Sequence, residues 1–481
     1  MPENESDRAG SAGLGLRWGL LARVATKVGS FAMSLILARL LAPSDFGVYA
    51  VALAAQQFLW HVNDAGIVAA IVQWRGKIED VLPTATTMVL TFSLTVYGLL
   101  WLFAPYFATV AGNPRAEGMV RMLAVLIVID GFVGVRSAVL LRRFQQGKIA
   151  KANMAGMVVQ VPVAVGMAAA GAGAFSFAGG AISSSLLAGV LMIAWAREPI
   201  RFGLRREVVV KLLRFGLPLA ASLGVEALLL NADTVIVGAV FGATVLGFYT
   251  LALNISNWVP GLVGEALRHV TLPGFSRVAD QRPEELSAKV QQIIPMVVIL
   301  VVPVAVLVGV LAPAIVPFLY GERWLPSAAA LSFLMVSMAV RMLSGTVFDV
   351  LTSVGATKSI AIMNLCWAVV LIPALWAGAH IGGIRGVAIA HALVGLLLTV
   401  PMGALFLRRI GVPVAPIGFA SVRPLIGGLA AGVVAWLALR ATSGAIPLVQ
   451  LAAAGSAGLL VYVATGISSS RFREMRVLAT S

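Results

Sequence analysis

The charged residues of this chain fall in short clusters, and long apolar runs separate the clusters. Runs of about 20 residues match the hydrocarbon thickness that a spanning helix must cross. Of the 481 residues, 60% are hydrophobic and 11% are charged, where ordinary soluble domains carry roughly a quarter charged residues. No water in lipid can satisfy an open backbone, so each run must close its own hydrogen bonds as a helix. The fold class is therefore an all-α polytopic membrane protein. A net charge of +15 could suit nucleic acid, but the basic residues fall in alternate loops, as membrane topology places them. We expect no nucleic-acid partner.

The runs predict about 14 transmembrane helices, at 17–41, 45–72, 83–111, 118–141, 150–171, 175–196, 215–241, 245–272, 290–314, 326–353, 359–381, 384–407, 419–440 and 447–467. One set of loops holds Arg75 and Lys77, then Arg142, Arg143, Lys148 and Lys151. The series continues with Arg197, Arg201, Arg205, Arg206, Lys211 and Arg214, then Arg277, Arg282 and Lys289, then Arg408, Arg409 and the tail "RFREMR". The intervening loops hold only Arg115, Arg323, Arg385 and Arg440. Positive residues stay in the cytoplasm, so both termini are expected there, which requires an even number of spans. The start, "MPENESDRAGSAGLG", lacks the basic opening and cleavage site of a signal peptide, and nothing is expected to be removed.

The chain also repeats itself. "ARLLAPSDFGVYAVAL" (38–53) is echoed by "GAVFGATVLGFYTLAL" (238–253), with Gly47 matching Gly247, Tyr49 matching Tyr249, and Ala52-Leu53 matching Ala252-Leu253. Each copy straddles an outer loop, the first between spans one and two and the second between spans seven and eight. "LRWGL" precedes the first copy and "LRFGL" the second. Six spans separate the copies, so they share one orientation. The expected organisation is a cytoplasmic segment 1–16, a six-helix lobe 17–196, a basic linker 197–214, a second six-helix lobe 215–410, two additional helices in 411–467, and a cytoplasmic tail 468–481. Parallel duplicated bundles are the architecture of transporters that rock around a central site.

Catalytic signatures are missing. Gly147-Lys148 lacks the rest of a P-loop, and no HExxH, CxxC or Gly-x-Ser-x-Gly constellation occurs. The four histidines, His61, His269, His380 and His391, are scattered, and Cys366 sits in an apolar run. No metal, no cofactor and no enzymatic activity are expected. The informative residues are the charges within spans, because an ionisable group at mid-bilayer costs on the order of 3 kcal/mol. Arg23 and Lys27, four apart, project from one face of the first span and could hold a phosphate or pyrophosphate; alternatively Arg23 snorkels to headgroups. Arg341, near the middle of span ten, cannot easily snorkel and reads as a cavity cation or as a partner of Asp349. Arg136 lies nearer the cytoplasmic end of span four. Asp64, Asp130, Glu226 and Asp233 are candidate partners, able to neutralise an arginine or to carry a coupling H⁺ or Na⁺. Trp60, Trp101, Trp258 and Trp324 could stack on sugars or mark the membrane interfaces.

"LARLLAPSDFGVYAVAL" followed by "NDAGIVAAIVQ" resembles the opening of the polysaccharide-transporter (Wzx-like) flippases, of the superfamily that also holds MATE multidrug exporters and lipid II flippases. "LRFGLPLAASLGVEALLLNADTVIVGAVFGATVLGFYTLAL", "LPGFSRVADQRPEEL" and "YGERWLPSAAAL" extend the resemblance over residues 14–410. It implies a two-lobed bundle that turns an undecaprenyl-pyrophosphate-linked oligosaccharide from the cytoplasmic to the outer leaflet through a cationic cavity. Such activity serves exopolysaccharide, O-antigen or lipopolysaccharide synthesis in the bacterial inner membrane, beside polymerase and export machinery. The resemblance places Arg23 and Lys27 in the first-helix cationic region, Asp64 in a "D-x-G" position, and Asp233 in an "N-x-D" position. Four other readings compete, one of them a non-transporting scaffold. A MATE-like exporter of organic cations wants a net acidic cavity, a lipid II-type flippase wants the same fold for another anionic lipid, and a membrane-embedded polymerase or ligase wants a large outer loop.

Overall fold

The computed structural model describes residues 26–467 except 64–66, 75, 215, 217–230, 259, 261–274 and 280. Among the described residues the structure is helical and holds no strand. Ten of its helices are long and apolar enough to cross a membrane. The contacts divide the chain into two compact units, Met1–Gly247 and Phe248–Ser481.

Two of the helical stretches contain a reversal. Within Thr357–Val394 the backbone leaves helical geometry at Gly382 (φ −141°, ψ 20°) and Gly383 (φ 59°, ψ −148°). In a straight helix residues eight apart stand about 12 Å from one another. Yet a β-carbon on Gly386 would lie 2.0 Å from the carbonyl oxygen of Gly378, so the chain turns back on itself. Ala232–Ser256 does the same at Gly242, whose φ of 76° favours glycine. Both reversals fall where the apolar runs place a loop, at 381–384 and 241–245.

The duplication extends to element order. In the first unit Ile78–Val110 is followed by Gly112 with φ 71°, a short 3₁₀ turn Pro114–Ala116, and the helix Glu117–Arg142. In the second unit Pro283–Tyr320 is followed by Gly321 with φ 97°, a 3₁₀ turn Glu322–Trp324, and the helix Pro326–Ser353. A positive-φ residue then opens the next helix in each, Phe144 before Gln146–Ala169 and Gly355 before Thr357–Val394. Trp324, read from sequence as a sugar-stacking or interfacial residue, instead fills the second unit's core: it is fully buried, with its ring 6.0 Å from Phe248 and at 90° to it.

The first unit's core joins Ile71, Val81, Val89, Val135, Val139 and Leu212. Its ends are tied by arginines read from sequence only as loop charges. Arg142 donates to the carbonyls of Ile71 (3.4 Å) and Gly76 (2.6 Å). Arg143 donates to the Ala196 carbonyl at 2.6 Å and pairs with Glu198. A cation at a helix C-terminus meets carbonyls that have no intrahelical donor. The second unit's core joins Phe275, Val290, Val350, Leu351, Phe406 and Leu407.

Proline explains several of the longer-range bonds. A proline inside a helix leaves the carbonyl four residues earlier without its N–H donor, and lipid offers no water in its place. Pro303 thus frees the carbonyl of Ile299, which accepts from the Tyr462 hydroxyl at 2.7 Å. Pro313 frees that of Gly309, which accepts from Ser332 Oγ at 2.7 Å. In the first unit Pro105 frees that of Trp101, which accepts from Arg121 Nε at 3.2 Å. The Tyr462 bond also anchors the C-terminal pair, Ala415–Ala441 and Pro447–Gly466, which packs against Pro283–Tyr320. There Gly428 faces Val302, Gly432 faces Val306 and Gly458 faces Leu307, the small-residue packing that lets helices approach in lipid. Tyr462→Phe should therefore lower stability by about 1–3 kcal/mol, the cost of an unsatisfied buried acceptor. Thermal unfolding in detergent measures this, and the nearby exposed Leu460→Ala is expected to have little effect.

Candidate functional site

The intramembrane charges come from different helices of the two units. Arg23, Asp64 and Glu226 lie outside the described residues. Lys27 stands half-buried on the helical segment 26–40. Arg136, on Glu117–Arg142, is only 2% exposed. Its Nη1 donates to Thr86 Oγ1 at 2.9 Å and its guanidinium lies 5.0 Å from the Phe132 ring. Its Nε has no partner. Asp130, on the same helix, is half-buried and lies close to Ser185 on Phe175–Ala196. Asp233, 3% exposed, opens Ala232–Ser256, where its Oδ1 accepts from the Thr234 N–H at 2.8 Å. A carboxylate there caps otherwise unpaired N–H groups.

In the second unit Arg341 is exposed and donates to Asn257 Oδ1 at 2.9 Å. Asp349, farther along the same helix, is 2% exposed. In the first unit Asn231 Nδ2 donates to Gln57 Oε1 at 3.2 Å. Gln57 and Asn257 occupy matching positions of the repeat, and each accepts through its side-chain amide. The sequence reading missed Gln57, Asn257, Thr86 and Ser185, because a neutral polar residue in a span carries no charge signal. The spacing of the repeat could have pointed to the first two.

The duplicated stretches themselves meet within the first unit. A β-carbon on Gly47 would lie 1.8 Å from the carbonyl oxygen of Ala243, and one on Gly247 would lie 1.8 Å from that of Pro43. Pro43 and Ala243 are themselves matching positions, so the contact is reciprocal. Beside it, a β-carbon on Gly112 would lie 2.2 Å from the Gly238 oxygen, and one on Gly238 would lie 2.8 Å from that of Ala111. No side chain fits at these crossings; backbone meets backbone. On the flanks, Asp45 Oδ2 accepts from the Ala42 N–H at 3.0 Å, fixing the start of Pro43–Asn63. Phe177 stacks on Tyr49 at 4.3 Å and takes Phe46 edge-on at 5.0 Å.

Residues 36–329 match the model of the polysaccharide biosynthesis protein family. The chain belongs to that family. Among relatives, the succinoglycan biosynthesis transport protein ExoT of Rhizobium meliloti (strain 1021) is 25% identical over 463 residues, covering 96% of this chain and 94% of the relative. The lipopolysaccharide biosynthesis protein WzxC of Escherichia coli (strain K12) is 23% identical over 388 residues, covering 80% and 79%. Among solved structures, the lipid II flippase MurJ in an inward closed conformation superposes with a TM-score of 0.76 at 13% identity, covering 94% of this chain and 97% of that one. An inward-facing multidrug resistance MATE transporter of the MOP superfamily gives 0.65 at 16%, covering 81% and 98%. The fold is that of these two solved structures.

The Arg136–Thr86 bond yields a test of what the buried cation costs. Thr86→Val should destabilise the first unit by about 2 kcal/mol, because it strips a buried guanidinium of its hydroxyl acceptor. Arg136→Met added to Thr86→Val should restore most of that loss, since an apolar pair replaces an uncompensated charge. Unfolding midpoints of the three purified variants check both outcomes.

Proposed function

We propose that this protein is a flippase that turns an undecaprenyl-pyrophosphate-linked oligosaccharide from the cytoplasmic to the outer leaflet of a bacterial inner membrane. The product would serve exopolysaccharide or lipopolysaccharide assembly, handed on to polymerase and export machinery. The reciprocal glycine crossing of the duplicated hairpins carries this reading. With both termini cytoplasmic, as the Lys and Arg distribution asks, the crossing lies at the outer side. There it would act as the seal that parts when the headgroup leaves. A contact made of backbone alone needs no rotamer to be reset on each cycle. Transporters with parallel repeats work by such rocking.

The headgroup is anionic, and Arg23, Lys27 and Arg341 are its proposed contacts. Arg136, sealed inside the first unit in this state, would reach it only in another state of that unit. Asp64, Asp130, Glu226 and Asp233 are the proposed acids for H⁺ or Na⁺ coupling or for neutralising these cations. Asp233, hydrogen-bonded in this state, would have to exchange that bond to take up an ion. The protein's own contribution is recognition and movement, with no covalent step and no cofactor. Relatives with transport names support that, and the MATE-like exporter reading fits less well with Arg341, a cation where an organic cation would have to bind.

Deleting the gene should leave a lipid-linked oligosaccharide on the cytoplasmic side, detected by extraction and by its resistance to a glycosidase added from outside. Arg341→Ala should insert normally and lower export by about tenfold or more, the worth of a hydrogen bond to a charged group, while Arg341→Lys keeps part of it. Normal export in Arg341→Ala would remove that residue from the path. The seal is tested separately with a cysteine at Ala111, which is 2% exposed, in a Cys366→Ala background. Gly247→Val should raise its labelling by an impermeant maleimide several-fold over the parent.

A further inference from the structure

The two repeats part company at one matching place, the segment that follows the sixth helix of each. In the second unit the chain after Arg409 turns inward: Val412 is 2% exposed, and Ile410 and Val414 pack on the same core. In the first unit the chain after Ala196 stays outside, with Ile200, Phe202 and Leu204 exposed to 47%, 61% and 70%. This exposure is not slack in the chain. Gly203 N–H donates to Thr87 Oγ1 at 3.0 Å and Arg205 N–H to Thr84 Oγ1 at 3.2 Å. The short helix that follows, residues 206–214, buries Val208 and Leu212. The segment is held firmly with its apolar side chains pointing away from the protein.

The backbone carries a second anomaly at the same end. Phe144 and Arg197 are the two non-glycine residues with positive φ among the described residues, at 56° and 51°. Residues in that left-handed region are usually glycine, and such departures cluster where function demands them. The counterpart of Phe144 in the second unit is Gly355, with φ 71°. Packing does not explain the aromatic ring, because Phe144 is 91% exposed. Arg143, the next residue, bonds the Ala196 carbonyl and Glu198, so Phe144 stands beside the exposed segment.

Charge decides what covers this face. The apolar side chains are interleaved with Arg197, Arg201, Arg205 and Arg206, all exposed. Arg205 has Asp80 at 3.6 Å and Glu198 is taken by Arg143. Arg197, Arg201 and Arg206 have no acidic partner among the described residues. Thr84 and Thr87 sit in the first turns of a spanning helix, which puts the segment at the membrane boundary. Aromatic and aliphatic side chains mixed with unpaired arginines at that depth suit one surface, acyl chains below and phosphates at the level of the guanidiniums.

We propose that Phe144 and residues 197–206 form a docking surface for anionic phospholipid headgroups, present on the first unit and absent from its repeat. The test uses the full-length protein reconstituted in nanodiscs of phosphatidylcholine and phosphatidylglycerol, three to one. Native mass spectrometry counts the phosphatidylglycerol molecules that stay bound on release. The variant Arg197→Gln/Arg201→Gln/Arg206→Gln should retain about a hundredfold less, since each of the three basic residues near an anionic surface contributes roughly a fivefold preference and the factors multiply. A spin label at Phe202→Cys, in a Cys366→Ala background, reads depth by collision with oxygen. It should sit deeper in the mixed bilayer than in phosphatidylcholine alone, and Phe144→Gly should bring it back toward water. Equal lipid retention by parent and variant, together with unchanged label depth, would overturn the proposal. So would a photo-crosslinker at position 202 that captures a protein in cells and no lipid, which would assign the face to a protein partner. Topology reporters at residue 202 check the side of the membrane independently of transport.

Discussion

Everything in this structure depends on backbone carbonyls that cannot turn to water. The chain contains 22 prolines, several of them inside spanning helices, and each takes a donor away from a carbonyl one turn back. At Pro303, Pro313 and Pro105 the vacancy is met from a neighbouring helix, by a tyrosine, a serine and an arginine. The bend and its remedy belong to one unit: the proline opens the helix, and the hydroxyl that closes it fixes a neighbour in register. The two C-terminal helices owe their place to this logic, because Tyr462 reaches the opened carbonyl of Ile299 while Gly428, Gly432 and Gly458 bring the backbones close.

A duplicated chain offers its own control. Helix order, 3₁₀ turns and positive-φ turns recur from one unit to the other, so departures from the pattern stand out. Gly355 becomes Phe144, and the inward Val412 segment becomes the outward Phe202 segment. Agreement is informative as well: Gln57 and Asn257 keep an amide acceptor at the same point of the repeat, though one receives an asparagine and the other an arginine.

Much of the fold was legible in the sequence because the bilayer reduces the choice to helices of set length, and glycines mark the reversals at Gly242 and Gly382–Gly383. The family too was legible, from the joint order of otherwise weak motifs. The site was less so. Charge within a span announces itself, which is how Arg136, Asp130, Asp233 and Arg341 were found, but periodicity does not say what they touch. Thr86, Ser185 and Asn257 are ordinary in composition and became visible only as neighbours. Full burial removes Trp324 from any sugar, and nothing in a linear reading shows that Phe248 lies across from it. Arg142 and Arg143 were read as loop cations, whereas Arg142 ends a helix and Arg143 caps it, and their bonds to Ile71, Gly76 and Ala196 depend on segments more than fifty residues away in the chain.

The crossing at Gly47 and Gly247 has a thermodynamic corollary. Its touching atoms are carbonyl oxygens and glycine carbons, and none of them gains or loses a proton in the pH range a cell presents. By linkage, an ion can shift an equilibrium only where its binding differs between the two states. The crossing itself therefore contributes a contact energy that does not change with proton concentration. Under the proposed function, a proton gradient would therefore have to act through other residues.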